Sequence, residues 1–238
     1  VKLSSENDFI ILEGDEYLSS PIDSSPKFLH YHPNIALISG ISWDHINVFK
    51  TEEEYVDTFG NFIKNITSGG ILVYNEEDEI LVKLVDEAEN YFRKMPYKTP
   101  NYETKNGKTS VETEMGQIPL KIFGKHNLLN LEGARLICNQ LGILDENFYE
   151  AMMSFSGASK RLEKVKRNDD VILYRDFAHA PSKVKASVDA FAEQFPAMKK
   201  VGVFELHTYS SLNPAFLPQY KNTLVQLDEA VVFYDLEA

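Results

Sequence analysis

The sequence is short of cysteine, of positive charge and of long apolar runs, and each shortage removes a class of function. Cys138 is the single cysteine, which excludes an intrachain disulfide and a zinc site built on cysteines. With 36 acidic against 24 basic residues the formal charge is -12, and the basic stripe needed by a nucleic-acid surface is missing. Nucleotides stay open, because local amides, a cation and a few side chains hold those. No apolar stretch reaches membrane-spanning length and no signal peptide is visible, so a cytoplasmic protein without membrane or nucleic-acid partners is expected. A phosphate loop is also missing. "NGKTS" at 106–110 carries Gly-Lys-Thr, but Tyr102 stands where the motif needs glycine, and the surroundings are those of a polar turn. The opening "VKLSSENDFIIL" has no initiator methionine and reads as a piece cut from something longer.

What is present is an ordinary globular composition, 43% hydrophobic and 25% charged, in 238 residues, enough for one large or two ordinary domains. Short apolar runs at 8–13, 34–42, 69–75, 171–177, 201–207 and 230–235 predict strands. Helical patterns at 51–65, 78–92, 126–141, 145–155, 181–195 and 214–226 fill the gaps between them. Most of the strands lack alternation, as expected for a mostly parallel sheet covered on both faces. The polar stretch 94–124, with turn signals at Asn106-Gly107 and Met115-Gly116, predicts a small antiparallel excursion. A basic, polar break near 155–170 predicts a boundary between an α/β domain at 1–157 and a second domain at 158–238.

Ligands of open α/β sheets bind at the carboxyl ends of strands, and those ends are chemically loaded here. Glu13, Asp15 and Glu16 crowd the end of 8–13, and Asp44 and His45 follow 34–42. Asp176 and His179 follow 171–177, while Glu205 and His207 end 201–207. Three of the six histidines therefore lie just past strand ends. The acidic cluster suits a cation or a helix N-terminus. Glu13 and His45 could share magnesium or manganese, the remaining positions going to water and phosphate oxygens. The plainer reading of Asp44 is a helix N-cap, a role open to either Asp44 or Thr51. In "GKHNLLN", Asn127 and Asn130 lie on one helical face and could read a base edge, or Asn127 could simply cap the helix. Arg161 could reach a phosphate bound by the first domain, or be a solvated linker charge.

Taken together, "EGDE", the "DH" after the next strand, "GKHNLLN", "KRLE", "DFAHAPSK" and "ELHTYSS" resemble the Mur ligase superfamily over essentially the whole chain. The resemblance implies an ATPase-type central domain followed by a Rossmann-like C-terminal domain, with ATP and Mg²⁺ as cofactors. It implies Glu13 and His45 at the metal, Asn127 and Asn130 at adenine, Asp176 at ribose and Arg161 at the nucleotide from the second domain. His179 and His207 would face the substrate cleft. Within the superfamily the motifs look most like the murein-recycling branch, which joins L-alanyl-γ-D-glutamyl-meso-diaminopimelate to UDP-N-acetylmuramate through an acyl phosphate. "TYSSLN" after His207, without a bulky cation, is weak support for so long an amine. Phe59 stands where several relatives carry a carbamylated lysine, as in the alanine-adding branch. The UDP-sugar domain and the phosphate loop are expected upstream, so the piece alone is expected to be inactive. Three rivals remain: addition of L-alanine or a folate-type γ-glutamate, a metal-dependent phosphohydrolase using Glu13, Asp15, Asp44 and His45, and a non-catalytic binding module.

Overall fold

The computed structural model describes residues 4–235. Its centre is a parallel three-stranded sheet, ordered β3 (Ile35–Ile38), β4 (Gly70–Asn75) and β5 (Phe92–Tyr97), preceded by the hairpin β1 (Leu18–Ser20) and β2 (Asp23–Pro26). Two helices, α1 (Glu52–Lys64) and α2 (Glu79–Glu87), make the crossovers. Thr51 caps α1 by accepting from the Glu54 amide at 3.2 Å, and Glu52, Glu53 and Glu54 lie at the positive end of its dipole. Asp78 does the same for α2, accepting from Leu81 at 3.0 Å.

β4 is the central strand, and its run Leu72-Val73-Tyr74 is buried on both faces, as expected for a covered parallel strand. Leu72 packs with Ile63 of α1 and with Leu81 and Val85 of α2, all 0% exposed. Side chains this buried each contribute about 1.5–3 kcal/mol. Phe59 belongs to this layer, with its ring against Tyr55 and Phe28. The opposite face meets α3 (Lys125–Gln140), where a Cβ on Gly133 would stand 3.0 Å from Leu37 and Tyr97. Arg135 of α3 binds Glu132 and Asp145 and so fixes α4 (Asp145–Ser154).

The antiparallel excursion forms as β6 (Tyr102–Lys105), β7 (Lys108–Thr113) and β8 (Gly116–Leu120). Asn106 and Gly107 both take positive φ, 52° and 70°, which is the turn their sequence calls for. Beyond them, β9 (Glu163–Arg167) pairs antiparallel with β10 (Ile172–Arg175), α5 (Pro181–Gln194) follows, and β11 (Val201–Leu206) pairs in parallel with β12 (Glu229–Tyr234). This C-terminal segment docks on the rest through Phe123, whose ring meets Tyr174, Phe191 and Phe195. Buried hydrogen bonds join Thr109 to Gln194 (2.7 Å) and Gln194 to the Gly107 carbonyl (2.8 Å).

Four expectations fail locally. Residues 8–13 form no strand; among the described residues none pairs with them to complete a ladder, and Ile11 is 78% exposed. Residues 92–97 are a parallel strand of the central sheet, where the helix was expected to reach 92 and the antiparallel excursion to begin at 94. Residues 163–167 are a strand inside the expected break, which makes β10 half of an antiparallel pair. Residues 214–226 give only a 3₁₀ turn at Leu217–Tyr220, because Pro214 and Pro218 withhold amide donors and the Asn213 side chain turns the chain by accepting from Ala215. Among the described residues no helix is long and apolar enough to cross a membrane.

Candidate functional site

The loop after β3 carries the first half of the site. Asp44 is 4% exposed, and its Oδ1 accepts the His45 amide at 2.7 Å. His45 adopts φ +57°, a left-handed conformation that costs a branched-free residue about 1–2 kcal/mol. Its imidazole is held by Glu16, whose carboxylate lies 3.3 Å from Nε2, and by the edge of Tyr17, 4.5 Å between centroids. Tyr55 donates to the same Glu16 oxygen at 3.3 Å. Burial opposes the charge on Glu16, but the His45 and Tyr55 contacts more than offset it and its carboxyl stays below the ordinary range. Thr51, not Asp44, caps α1.

The acidic cluster is therefore divided in its tasks. Glu16 faces His45, Asp15 is tied to Lys27 at 2.6 Å, and Glu13 is exposed with no hydrogen bond or ion pair among the described residues. The expected Glu13–His45 pair is not brought together, because residues 8–13 are not anchored as a strand. No group of three or more His, Cys, Asp or Glu that could hold a metal exists among the described residues. One carboxylate beside one imidazole still fits magnesium, which keeps most of its positions for water and phosphate oxygens.

The second half comes from the C-terminal segment. His179 Nε2 stands 3.8 Å from Asp44 Oδ2, the same distance as His45 Nε2, and the His207 ring lies 6.4 Å from that of His179. Asp44 Oδ2 is buried and has no hydrogen-bond partner among the described residues. Burial lowers the proton affinity of His179, while its bond to the Phe177 carbonyl opposes the shift. Asp176 uses both carboxylate oxygens: Oδ1 accepts from Leu162 (3.3 Å) and Phe177 (2.9 Å), and Oδ2 accepts from Ser187. Those bonds brace a loop in which Lys160 and Leu162 both have positive φ, and they present exposed Arg161 over the Phe177 ring at 5.4 Å. Asp176 and His207 also line a cleft of about 570 Å³ between β10, α5 and β11.

The third part is the start of α3. Gly124 precedes it at φ +88°, and a Cβ there would lie 2.5 Å from Ala190 of α5. The helix has no side-chain cap, so its first amides are left to a ligand or solvent. Asn127 donates to the Phe123 carbonyl at 2.9 Å, whereas Asn130 is exposed, with no side-chain hydrogen bond among the described residues. His126 is half-buried with Nδ1 unpaired, and burial holds its proton affinity down against the opposing charge of Asp176. Sequence reasoning named Glu16 in the acidic cluster but gave the pairing with His45 to Glu13, and it missed Ser187 and His126. Glu16 carried a signal, being the carboxylate in "EGDE" next to an aromatic that could lean on an imidazole.

Comparison with known proteins gives one family. A model of the Mur ligase middle domain matches residues 3–138. The chain is similar to the UDP-N-acetylmuramate–L-alanine ligase of Caldicellulosiruptor saccharolyticus, 29% identical over 238 residues, covering 95% of this chain and 50% of that protein. The chain thus spans about half the length of the curated relatives it matches. Its fold is similar to that of a murein peptide ligase from Psychrobacter arcticus (TM-score 0.63, 16% identity, 98% of this chain and 51% of that one). It is also similar to MurF ligase from Thermotoga maritima in complex with ADP (TM-score 0.67, 19% identity, 84% and 48%).

Proposed function

The chain belongs to the Mur ligase family, and from that premise we propose that it carries the central domain (1–157) and part of the C-terminal domain (158–238) of an ATP-dependent ligase. The reaction joins an amine to the carboxylate of UDP-N-acetylmuramate in the cytoplasm. The observation that carries this reading is the meeting of His45 and His179, one from each segment, at the buried Asp44 carboxylate, 3.8 Å from both imidazoles. A hydrolase confined to the acidic loop would have no use for the second group.

In this reading His45 and a carboxylate of the 13–16 loop hold Mg²⁺, which when bound neutralises phosphate-oxygen charge. Asn127 and Asn130 orient the adenine edge at the open end of α3. Asp176 accepts from the ribose hydroxyls, since oxygens already bonded to Leu162, Phe177 and Ser187 keep further lone pairs. Arg161 places its guanidinium on a phosphate when the segments close. The acid substrate is activated as an acyl phosphate, and the amine displaces phosphate.

For the amine, the family relatives favour L-alanine. The loop after His207 no longer argues for a long peptide. Ser210 and Ser211 are 4% and 1% exposed; Ser211 closes an internal turn with Thr208, and Ser210 accepts from Ile46. The tripeptide is the second reading, kept because the motif-level likeness is to the recycling branch. Phosphate release by the protein from its complete open reading frame, with ATP and UDP-N-acetylmuramate and either amine, tests both. L-Alanine should give the higher kcat/KM; preference for the tripeptide would move the protein to the recycling branch, and release without any amine would remove the ligase reading.

A further inference from the structure

The two halves of the site are joined by a segment to which the reaction assigns no task. Residues 208–223 leave β11, cross to the loop after β3, and return to the loop after β10. Four of their side chains are buried: Ser210 (4% exposed), Ser211 (1%), Phe216 (3%) and Thr223 (5%). On the His45 side, Ser210 accepts the Ile46 amide at 3.4 Å, and the Phe216 ring meets Trp43 edge-on at 5.7 Å. On the His179 side, Tyr220 donates its hydroxyl to the His179 carbonyl. The Tyr220 ring packs between Phe204 (5.7 Å, tilted) and Phe216 (6.3 Å, edge-on), so the two contacts share one aromatic cluster.

We propose that residues 208–223 are a strap that sets the spacing between the His45 and His179 loops, with Tyr220 as the positioning residue for His179. A buried, otherwise unpartnered Asp44 oxygen lies 3.8 Å from both imidazoles, so placement of either ring is felt by the other through Asp44. Backbone capture by Tyr220 leaves the His179 ring free to act while denying its loop other positions. The inference rests on the ligase reading only for what the two histidines do; the strap and its test stand without it.

The test uses this chain without nucleotide. Tyr220→Phe removes one hydroxyl and keeps the ring, so the fold is retained. Imidazole resonances of His179 and His45 should both shift, while those of surface His30 and His32 stay in place. In parallel, Phe216→Leu should raise acrylamide quenching of Trp43, the only tryptophan in the chain. A His179 signal unchanged in Tyr220→Phe would overturn the positioning role. Movement of His179 with a still His45, or Trp43 quenching unchanged in Phe216→Leu, would overturn the strap. Because ATP is absent, loss of ligase activity in other assays cannot mimic any of these outcomes.

Discussion

Gly124 carries two demands that no other residue meets. Its φ of +88° is outside the range of side-chain-bearing residues, and Ala190 occupies the space a Cβ would need. Gly124→Ala should cost about 2–4 kcal/mol, read as a lower urea midpoint, because neither the helix start nor α5 can yield. Unchanged stability would mean that α3 and α5 are not packed this closely. Glu13 and Glu16 make a matched pair for a second test. Glu13 has no partner among the described residues, so Glu13→Gln should leave stability within about 0.5 kcal/mol. If it serves the metal, turnover of the complete protein should still fall roughly 100-fold, ~2.7 kcal/mol in barrier. Glu16→Gln, which weakens the seat of His45, should lower stability and turnover together. Normal turnover in Glu13→Gln would assign the metal carboxylate to Glu16 alone.

Helices and turns follow local chemistry closely, and their ends can be tested one at a time. Asp78 accepts from Leu81 at the start of α2 and, through its other oxygen, from Ile41 at 2.6 Å. Thr51 serves α1 alone. Thr51→Ala should therefore cost about 1 kcal/mol and Asp78→Ala about 2–4 kcal/mol, since an orphaned amide adds to the lost cap; equal unfolding midpoints would deny Asp78 its second role. What was legible in the sequence has the same local origin. The cap before α1, Pro181 opening α5 and the Asn106-Gly107 turn all announce themselves within four residues. β5 was not legible, because Arg93, Lys94 and Pro96 interrupt its apolar pattern; an edge strand paired only to β4 tolerates them, and the charges face solvent. Residues 8–13 misled in the opposite way, being apolar without a neighbouring strand. Among the candidate site residues, His45, His179 and His207 were singled out from their places just past expected strand ends. The roles of Glu16 and Tyr220 were not legible, since they depend on which loops meet, and that is a property of the assembled fold.

Across the whole molecule, burial and pairing set how stability should follow pH. His126 is held below the ordinary histidine value, first by burial, so the unfolded chain takes up its proton earlier. Its contribution is present above pH ~6.5 and is lost as pH falls through its lower folded value. Asp15, hydrogen-bonded to Lys27, titrates below the ordinary carboxylate range. Asp145 is pushed up by burial, but Asn139 and Arg135 pull it below that range too. Their contributions are present above pH ~4 and are lost as pH falls further. Thermal midpoints should thus decline in two stages on acidification; His126→Phe should shrink the upper one, leaving the share of His179, which burial also lowers. A midpoint flat from pH 7 to pH 4.5 would contradict the burial assigned to His126.

The joining of two loaded loops into one ATP-dependent ligase site is tested most directly by following oxygen. UDP-N-acetylmuramate labelled with ¹⁸O in its carboxylate is incubated with the protein from its complete open reading frame, ATP, Mg²⁺ and L-alanine. An acyl phosphate that breaks down by amine attack leaves one carboxylate oxygen on the phosphate, so the released phosphate should carry ¹⁸O and the amide should retain the other label. Unlabelled phosphate, with oxygen drawn only from water or ATP, would contradict the account and point to hydrolysis.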